Sequence, residues 1–137
     1  MAYRILVVDD EAHILHVLSL KLRNAGHEVL TSVDGEEAFE VACQELPDVI
    51  ITDFQMPYMT GLELCRALAD HEPTSQIPVL ILTARGYALD DEDLLIGNIK
   101  GVISKPFSPR AVLKLVDELP RSAAGDAQKH QTRTKIT

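Results

Sequence analysis

The sequence predicts an α/β fold in which a five-stranded parallel sheet is doubly wound by helices, giving three α/β/α layers. Five short apolar runs, nearly continuous in valine, isoleucine and leucine, alternate along the chain with segments of helical periodicity. Strands with continuous apolar runs are buried on both faces, which is typical of parallel sheets joined by right-handed helical crossovers. The 137 residues fit one domain, which we assign to residues 1–120.

Local patterns predict the individual elements. Strands are predicted over 4–8, 28–32, 48–52, 77–83 and 101–104, and helices over 11–25, 34–45, 61–70, 88–98 and 109–119. In the first helix, apolar residues recur at helical spacing up to Gly26, which suits a C-cap. Asp34 suits the N-cap of the second helix and Ser108 that of the last. The pattern over 88–98 is the weakest because it contains four consecutive acids at 90–93.

Charge is distributed unevenly along the chain. Residues 1–120 carry 20 acidic and 9 basic residues, whereas residues 121–137 carry 1 and 4. An acidic body argues against direct binding of nucleic acid, because phosphate backbones attract the opposite charge. The basic tail over 121–137 has no apolar periodicity, and we therefore expect it to be disordered.

The cellular setting is inferred from what the sequence lacks. No apolar run approaches the ~18 residues of a membrane-spanning helix, and the first residues do not have the architecture of a signal peptide. Cys43 and Cys65 have no metal-ligand spacing. We therefore expect a cytoplasmic protein with free thiols and no membrane contact.

Polar residues suited to phosphate chemistry lie at the ends of the predicted strands. Asp9 and Asp10 follow the first strand, Asp53 follows the third, Thr83 ends the fourth and Lys105 follows the fifth. A parallel sheet collects the carboxyl ends of its strands at one edge, where open α/β sheets bind ligands. Three neighbouring carboxylates repel one another unless a cation lies among them, and their oxygens suit Mg²⁺. The set predicts attack of an aspartate on phosphorus, giving an acyl phosphate.

Each of these residues also has a structural interpretation. An acid at the end of a strand is often a helix N-cap or a solvated turn residue, which would fit Asp10 before Glu11. Five suitable residues at one edge are harder to explain in this way, and their combination favours a functional site.

Four segments of the chain resemble the receiver domain of two-component response regulators. The matching segments are VVDDE (7–11), DFQMPYMTG (53–61), LTA (82–84) and KPFSP (105–109), and the resemblance covers about 4–119. It implies a flavodoxin-like receiver fold with strand order 2-1-3-4-5. It also implies a phosphorylatable switch that changes partner binding in a two-component phosphorelay.

The resemblance implies an acceptor and a metal site. Asp53 would accept the phosphoryl group from a histidine kinase, a phosphotransfer protein or a small phosphodonor. Mg²⁺ would be held by Asp9, Asp10, Asp53 and the backbone carbonyl of Gln55.

The resemblance also implies residues that contact the phosphoryl group. Thr83 would move toward it, Lys105 would pair with it, and the small Ala84 would leave its approach open. The peptide bond between Lys105 and Pro106 is often cis in this family, which would direct the lysine into the site.

Three positions bear on switching and on the loss of the phosphoryl group. Receivers usually carry Tyr or Phe three residues before the lysine, but this chain has Val102, so we do not expect an aromatic ring to move inward here. In the family the positions of Gln55 and Arg85 tune dephosphorylation, and we expect a moderately long-lived phosphorylated state.

The acids at 90–93 fit either a solvated helix start or a docking face for a basic partner.

Other functions remain open on the sequence alone. The leading interpretation is a stand-alone receiver that acts by protein contact, with an unknown downstream target and a homodimer left open. A second is a receiver-like interaction module that is not phosphorylated. A third is a Mg²⁺-dependent aspartyl-phosphate phosphohydrolase, but Gln55 stands where such an enzyme needs an acid for proton transfer. We therefore expect a protein that is not an enzyme.

Overall fold

The computed structural model describes residues 2–84 and 95–119, and it confirms the predicted α/β architecture. The strands are β1 (Arg4–Val8), β2 (Glu28–Ser32), β3 (Val49–Asp53), β4 (Val79–Thr83) and β5 (Ile99–Ser104). The helices are α1 (Ala12–Asn24), α2 (Gly35–Glu45), α3 (Gly61–Asp70) and α4 (Pro109–Glu118), with a 3₁₀ turn at Glu72–Thr74. The strands pair in parallel in the order β2-β1-β3-β4-β5, as the resemblance implied.

Some predicted elements lie outside the described residues. These are most of the helix over 88–98, with the acids at 90–93, and the tail over 121–137. The described residues 95–98 form turns that lead into β5. None of the described helices combines the length and the apolar character needed to cross a bilayer.

Strand β3 lies one residue later than the predicted 48–52, so that it includes Asp53, and larger differences occur at β4 and β5. The prediction began β4 at residue 77, but Pro78 has no N–H for the ladder, and the strand begins at Val79. The prediction began β5 at residue 101, but pairing with β4 starts at Ile99, across an irregularity between Val79 and Leu80. An extra residue in one strand is not visible in the apolar pattern, and β5 is therefore longer than predicted.

Alternate side chains of the strands form two cores on opposite faces of the sheet. Toward α2 and α3 lie Leu6, Val8, Ile50, Val79 and Ile81, and toward α1 and α4 lie Ile5, Val7, Ile51, Leu80 and Leu82. All ten of these side chains are fully buried. Burial of each large apolar side chain stabilises the fold by roughly 1.5–3 kcal/mol. The two cores hold the strand ends in fixed positions.

Two predicted N-caps are confirmed. The side chain of Asp34 accepts a hydrogen bond from the Glu37 backbone N–H at 2.8 Å, at the start of α2. Ser108 accepts one from the Ala111 N–H at 3.4 Å, at the start of α4. Each cap gives a partner to one of the N–H groups that a helix start leaves free.

The end of α1 requires the glycine that the sequence places there. Gly26 has a φ of +98° and its N–H donates to the Arg23 carbonyl at 2.9 Å, while His27 N–H donates to the Leu22 carbonyl at 3.1 Å. This pair of bonds is a Schellman motif, in which a left-handed residue closes the helix.

Replacing Gly26 by alanine is therefore expected to destabilise the protein by about 1 kcal/mol. A Cβ at this position would meet no atom within 4 Å, and the effect isolates the backbone conformation. Urea unfolding of both proteins measures the difference. An unchanged midpoint would contradict the assignment of the motif.

Candidate functional site

Three carboxylates converge at the carboxyl ends of neighbouring strands. Asp9 and Asp10 follow β1, and Asp53 is the last residue of β3, which pairs directly with β1. One oxygen from each carboxylate lies within 4.8 Å of the others. Asp9 and Asp53 are buried, whereas Asp10 is exposed. The convergence predicted from the parallel strand ends is present.

The backbone around Asp53 is held on both sides. The N–H of Phe54 donates to the Leu82 carbonyl at 2.7 Å, and the N–H of Gly61 donates to the Phe54 carbonyl at 2.8 Å. A Cβ on Gly61 would lie 2.4 Å from the Asp53 carbonyl oxygen, and only glycine therefore allows α3 to begin so close to the strand.

A capping box fixes the start of α3 beside this contact. Thr60 Oγ1 accepts a hydrogen bond from the Glu63 N–H at 3.1 Å, and Glu63 Oε1 accepts one from the Thr60 N–H at 2.8 Å. Two backbone N–H groups at the helix start thereby find partners. The loop that follows Asp53 is thus anchored at its far end.

Lys105 brings positive charge into the carboxylate group. Its backbone N–H donates to the Thr83 carbonyl at 2.7 Å, and its bond to Pro106 is cis, as the resemblance implied. The Nζ atom lies 3.0 Å from Asp53 Oδ1, 3.6 Å from Asp9 Oδ2 and 3.7 Å from a Glu11 oxygen. The shortest of these contacts joins the predicted acceptor to the predicted phosphoryl-binding lysine.

Asp9 lies in an environment that disfavours its charge. Its Oδ1 accepts a hydrogen bond from the Glu11 N–H at 2.9 Å, but its buried Oδ2 has no hydrogen-bond partner. Burial raises the pKa of Asp9 to about 6, and the Asp53 charge adds to this rise while the Glu11 N–H and Lys105 oppose it. A buried carboxylate oxygen without a hydrogen-bond partner is a position at which a cation would be favourable.

The same causes act on Asp53 and Lys105. Burial raises the pKa of Asp53, with a contribution from the charge of Asp10, while the bond to Lys105 acts in the opposite direction. Burial tends to lower the pKa of Lys105, but its contacts with Asp53 and the other acids outweigh this, and its pKa is raised. The lysine therefore stays protonated while part of the carboxylate charge remains unbalanced.

Two acids beside Asp9 differ from the sequence interpretation. Glu11, not Asp10, is the N-cap residue of α1, and its side chain makes no capping bond. Of the two structural interpretations, Asp10 is therefore not the cap, but its exposure before α1 agrees with that of a solvated turn residue. Glu11, to which the sequence analysis gave no site role, is the third acid around Lys105. Its position directly after two acids was the available signal.

The acids and Lys105 line an open cavity at this edge of the sheet. The cavity has a volume of about 300 Å³ and is lined by Asp10, Glu11, Asp53, Gln55, Ala84 and Lys105. Thr83 is buried at the end of β4, immediately before Ala84. The cavity is large enough to admit a small anion together with a hydrated cation.

The remaining predicted residues lie away from this cavity or outside the described range. Val102 in β5 is half-buried and packs against the core on the side of α2 and α3. Arg85 lies outside the described residues.

An apolar groove adjoins the cavity on the side of α1. It has a volume of about 430 Å³, and it is lined by His13, Ile14, Val17, Ala84, Lys105, Pro106, Phe107 and Pro109. Ala84 and Lys105 line both the groove and the cavity. A partner that fills the groove would therefore lie next to Asp53.

Comparison with known proteins assigns the family. The model of the response regulator receiver domain matches residues 5–117. The chain belongs to the response regulator receiver family. This receiver is 38% identical over 129 residues to the phosphate regulon transcriptional regulatory protein PhoB of Pseudomonas aeruginosa, covering 90% of this chain and 55% of PhoB. It is 39% identical over 112 residues to the alkaline phosphatase synthesis transcriptional regulatory protein PhoP of Bacillus subtilis, covering 82% of this chain and 46% of PhoP.

Solved structures agree with this assignment. The chemotaxis response regulator CheY4 of Vibrio cholerae superposes with a TM-score of 0.78 at 35% identity, covering 85% of this receiver and 98% of CheY4. The response regulator TrrA of Thermotoga maritima, solved in complex with Mg²⁺ and BeF, superposes with a TM-score of 0.76 at 29% identity, covering 85% of this receiver and 98% of TrrA.

The receiver spans about half the length of the curated relatives that it matches. Those relatives are named as transcriptional regulators. The expectations of a stand-alone protein and of no contact with nucleic acid therefore stay predictions.

Proposed function

We propose that this receiver accepts a phosphoryl group on Asp53 from a histidine kinase or phosphotransfer protein and thereby changes its affinity for a partner protein. The observation that carries the proposal is the contact between Asp53 and Lys105, at 3.0 Å, inside an open cavity. A carboxylate in such a place has access to a donor and a fixed positive charge beside it. Both are needed for transfer to an aspartate.

The donor set of the site fits a divalent cation. Three carboxylate oxygens lie within 4.8 Å of one another, and Asp9 Oδ2 is buried without a hydrogen-bond partner. Hard cations such as Mg²⁺ prefer such oxygen ligands. We assign Asp9, Asp10 and Asp53 as its ligands, with the backbone carbonyl of Gln55. The structure of TrrA with Mg²⁺ and BeF, in a protein of the same fold, supports this assignment.

The transfer itself exchanges one bond to phosphorus for another. A carboxylate oxygen of Asp53 forms a P–O bond while the P–N bond of the donor phosphohistidine breaks, and the imidazole nitrogen keeps the electron pair and takes up a proton. Lys105 neutralises charge on the phosphoryl oxygens, and Thr83 donates a hydrogen bond to one of them. A bound Mg²⁺ supplies further positive charge to these oxygens.

The apolar groove beside the cavity is the surface that we assign to the donor protein. Ile14 and Val17 of α1 line it together with Phe107, Pro109 and Lys105. A helix with an apolar face would fit such a groove and would bring a histidine close to Asp53.

The cytoplasmic location and the oligomeric state stay predictions.

The experiment that tests the proposal is intact-mass measurement after incubation with acetyl phosphate and Mg²⁺. The wild type is expected to gain the mass of one phosphoryl group, and Asp53→Ala is expected to gain none. Asp70→Ala, which removes an exposed acid at the end of α3, serves as the matched control and should be labelled like the wild type. Chelation of Mg²⁺ by EDTA should prevent labelling of the wild type and of Asp70→Ala.

Two results would contradict the proposal. A label that persists on Asp53→Ala would place the acceptor elsewhere, and a wild type that binds Mg²⁺ but gains no label would favour an interaction module. Continuous release of phosphate from small phosphate esters would instead favour the phosphohydrolase alternative.

A further inference from the structure

The loop after β3 contains an exposed aromatic residue in an unfavourable backbone conformation. Tyr58 has a φ of +72°, and the Met59 N–H donates to the Pro57 carbonyl at 2.8 Å across it. This is the γ-turn with positive φ at its centre, a rare and strained conformation that disfavours bulky side chains. The Tyr58 side chain is 87% exposed and adds nothing to the core. Strain of this kind is held in place by the surrounding structure and clusters at functional sites.

The neighbouring residue, Met59, joins this loop to α2. A Cβ on Gly35, the first residue of α2, would lie 2.8 Å from Met59 Cβ, and the methionine therefore packs directly on the helix start. Met59 lines a cavity of about 470 Å³ with Phe39, Glu36 and Glu40 of α2. We name the surface formed by these four residues and Tyr58 the α2 groove. Its centre is apolar, and both glutamates are exposed.

The stretch of chain that carries the α2 groove is acidic. Residues 25–65 contain nine acidic residues and no lysine or arginine. Glu28 and Glu45 are paired with Arg4 at the far end of α2, near the amino ends of the strands. Glu36 and Glu40 lie in the first and middle turns of α2, away from this pair with Arg4, and residues 25–65 supply no lysine or arginine to them. This excess of negative charge would favour a positively charged partner.

We propose that the α2 groove is a docking surface for a basic segment of a partner protein. An apolar side chain of the partner would contact Phe39 and Met59, and arginine side chains would pair with Glu36 and Glu40 and stack on Tyr58. The occupant follows from charge complementarity together with an apolar centre and an exposed ring, since aromatic and arginine contacts dominate protein interfaces. This surface lies on the side of the sheet that is covered by α2 and α3, away from the groove beside α1.

The test is selection of a phage-displayed random peptide library against the full, unphosphorylated chain. Enriched peptides are expected to combine arginine or lysine with an aromatic or aliphatic residue. Their affinity should fall about tenfold or more for Tyr58→Gly and for the double variant Glu36→Gln/Glu40→Gln. The matched double variant Glu72→Gln/Glu118→Gln changes the net charge equally at exposed acids elsewhere, and it should bind like the wild type.

A melting curve of Tyr58→Gly separates docking from folding. Glycine favours the φ that Tyr58 adopts, so the variant is expected to melt at the same temperature as the wild type or higher. A clear loss of stability would mean that Tyr58 serves the fold, and it would overturn the proposal.

Other binding results would also overturn the proposal. One is enrichment of peptides without positive charge, and another is full affinity for both groove variants. Peptide affinity that rises when residues 121–137 are deleted would identify the basic tail of this chain as the occupant instead. Because the selection uses unphosphorylated protein, its outcome does not depend on transfer to Asp53.

Discussion

Replacing Asp9 by asparagine is expected to stabilise the metal-free protein and to abolish its binding of Mg²⁺. Asp9 is fully buried, and its pKa is raised to about 6, mainly by burial and further by the charge of Asp53. Asparagine keeps an oxygen for the Glu11 N–H but removes the charge. Two effects of opposite sign in one variant would be difficult to explain by a purely structural role for Asp9.

The stability of the metal-free protein depends on pH in the direction set by the raised pKa of Asp9. In the unfolded chain Asp9 ionises near its ordinary value of 3.8, whereas in the fold it keeps its proton up to about pH 6. Between these values the folded state binds the extra proton, so the stability of the metal-free wild type falls as the pH rises from about 4 to 6. Above pH 6 the ionised Asp9 lowers the free energy of unfolding by its full amount, at most about 3 kcal/mol. Asp53, whose pKa is also raised, contributes in the same direction and keeps a residual slope in the variant.

Urea unfolding between pH 4 and 8, with EDTA or with Mg²⁺, measures both effects. Above pH 6, Mg²⁺ should stabilise the wild type and leave Asp9→Asn unchanged. Asp70→Asn, at an exposed position, is the matched control and should behave like the wild type. Equal stability of Asp9→Asn and the wild type in EDTA at pH 8 would contradict the predicted cost of the buried Asp9 charge.

Replacing Gly61 by alanine is expected to destabilise the protein by about 3 kcal/mol or more. The added Cβ would lie 2.4 Å from the Asp53 carbonyl oxygen and 3.1 Å from Phe54 Cα, and both are backbone atoms that cannot rotate away. Relief of the clash requires a shift of α3 or of the end of β3. Because Asp53 is the last residue of β3, the rate of labelling by acetyl phosphate should fall as well.

Gly97 provides the matched control for this substitution. A Cβ at that position would meet no atom within 4 Å, and Gly97→Ala should change neither the unfolding midpoint nor the labelling rate appreciably. If Gly61→Ala unfolds at the same urea concentration as Gly97→Ala, the close approach of α3 to β3 is not as rigid as the structure indicates.

The parts of the fold that the sequence predicts well are those determined by apolar periodicity and caps. The five strands, the caps at Asp34 and Ser108, and the meeting of Asp9 with Asp53 depend on short local patterns and on the rule that parallel strands end together. The strand order and the cis bond at Lys105 were implied by the family resemblance. The structure agrees with them.

Other features depend on contacts between distant parts of the chain. The start of β5 at Ile99 depends on pairing with β4, and the approach of Glu11 to Lys105 depends on how α1 meets the site. The positive φ of Tyr58 contradicts the preference of its residue type. No pattern in the residues themselves encodes these three features. The assigned roles of Thr83, Gln55 and Val102 stay predictions.

The central position of β3 determines which parts of the sheet can yield. Strand β3 is hydrogen-bonded to β1 on one side and to β4 on the other, whereas β5 pairs with β4 alone among the described strands. The proposed acceptor thus ends the central strand, and of the two edge strands, β2 and β5, only β5 pairs with its neighbour across an irregularity, at Val79. A shift of the end of β3 would therefore be expected to displace the edge strand β5 more easily than the other strands.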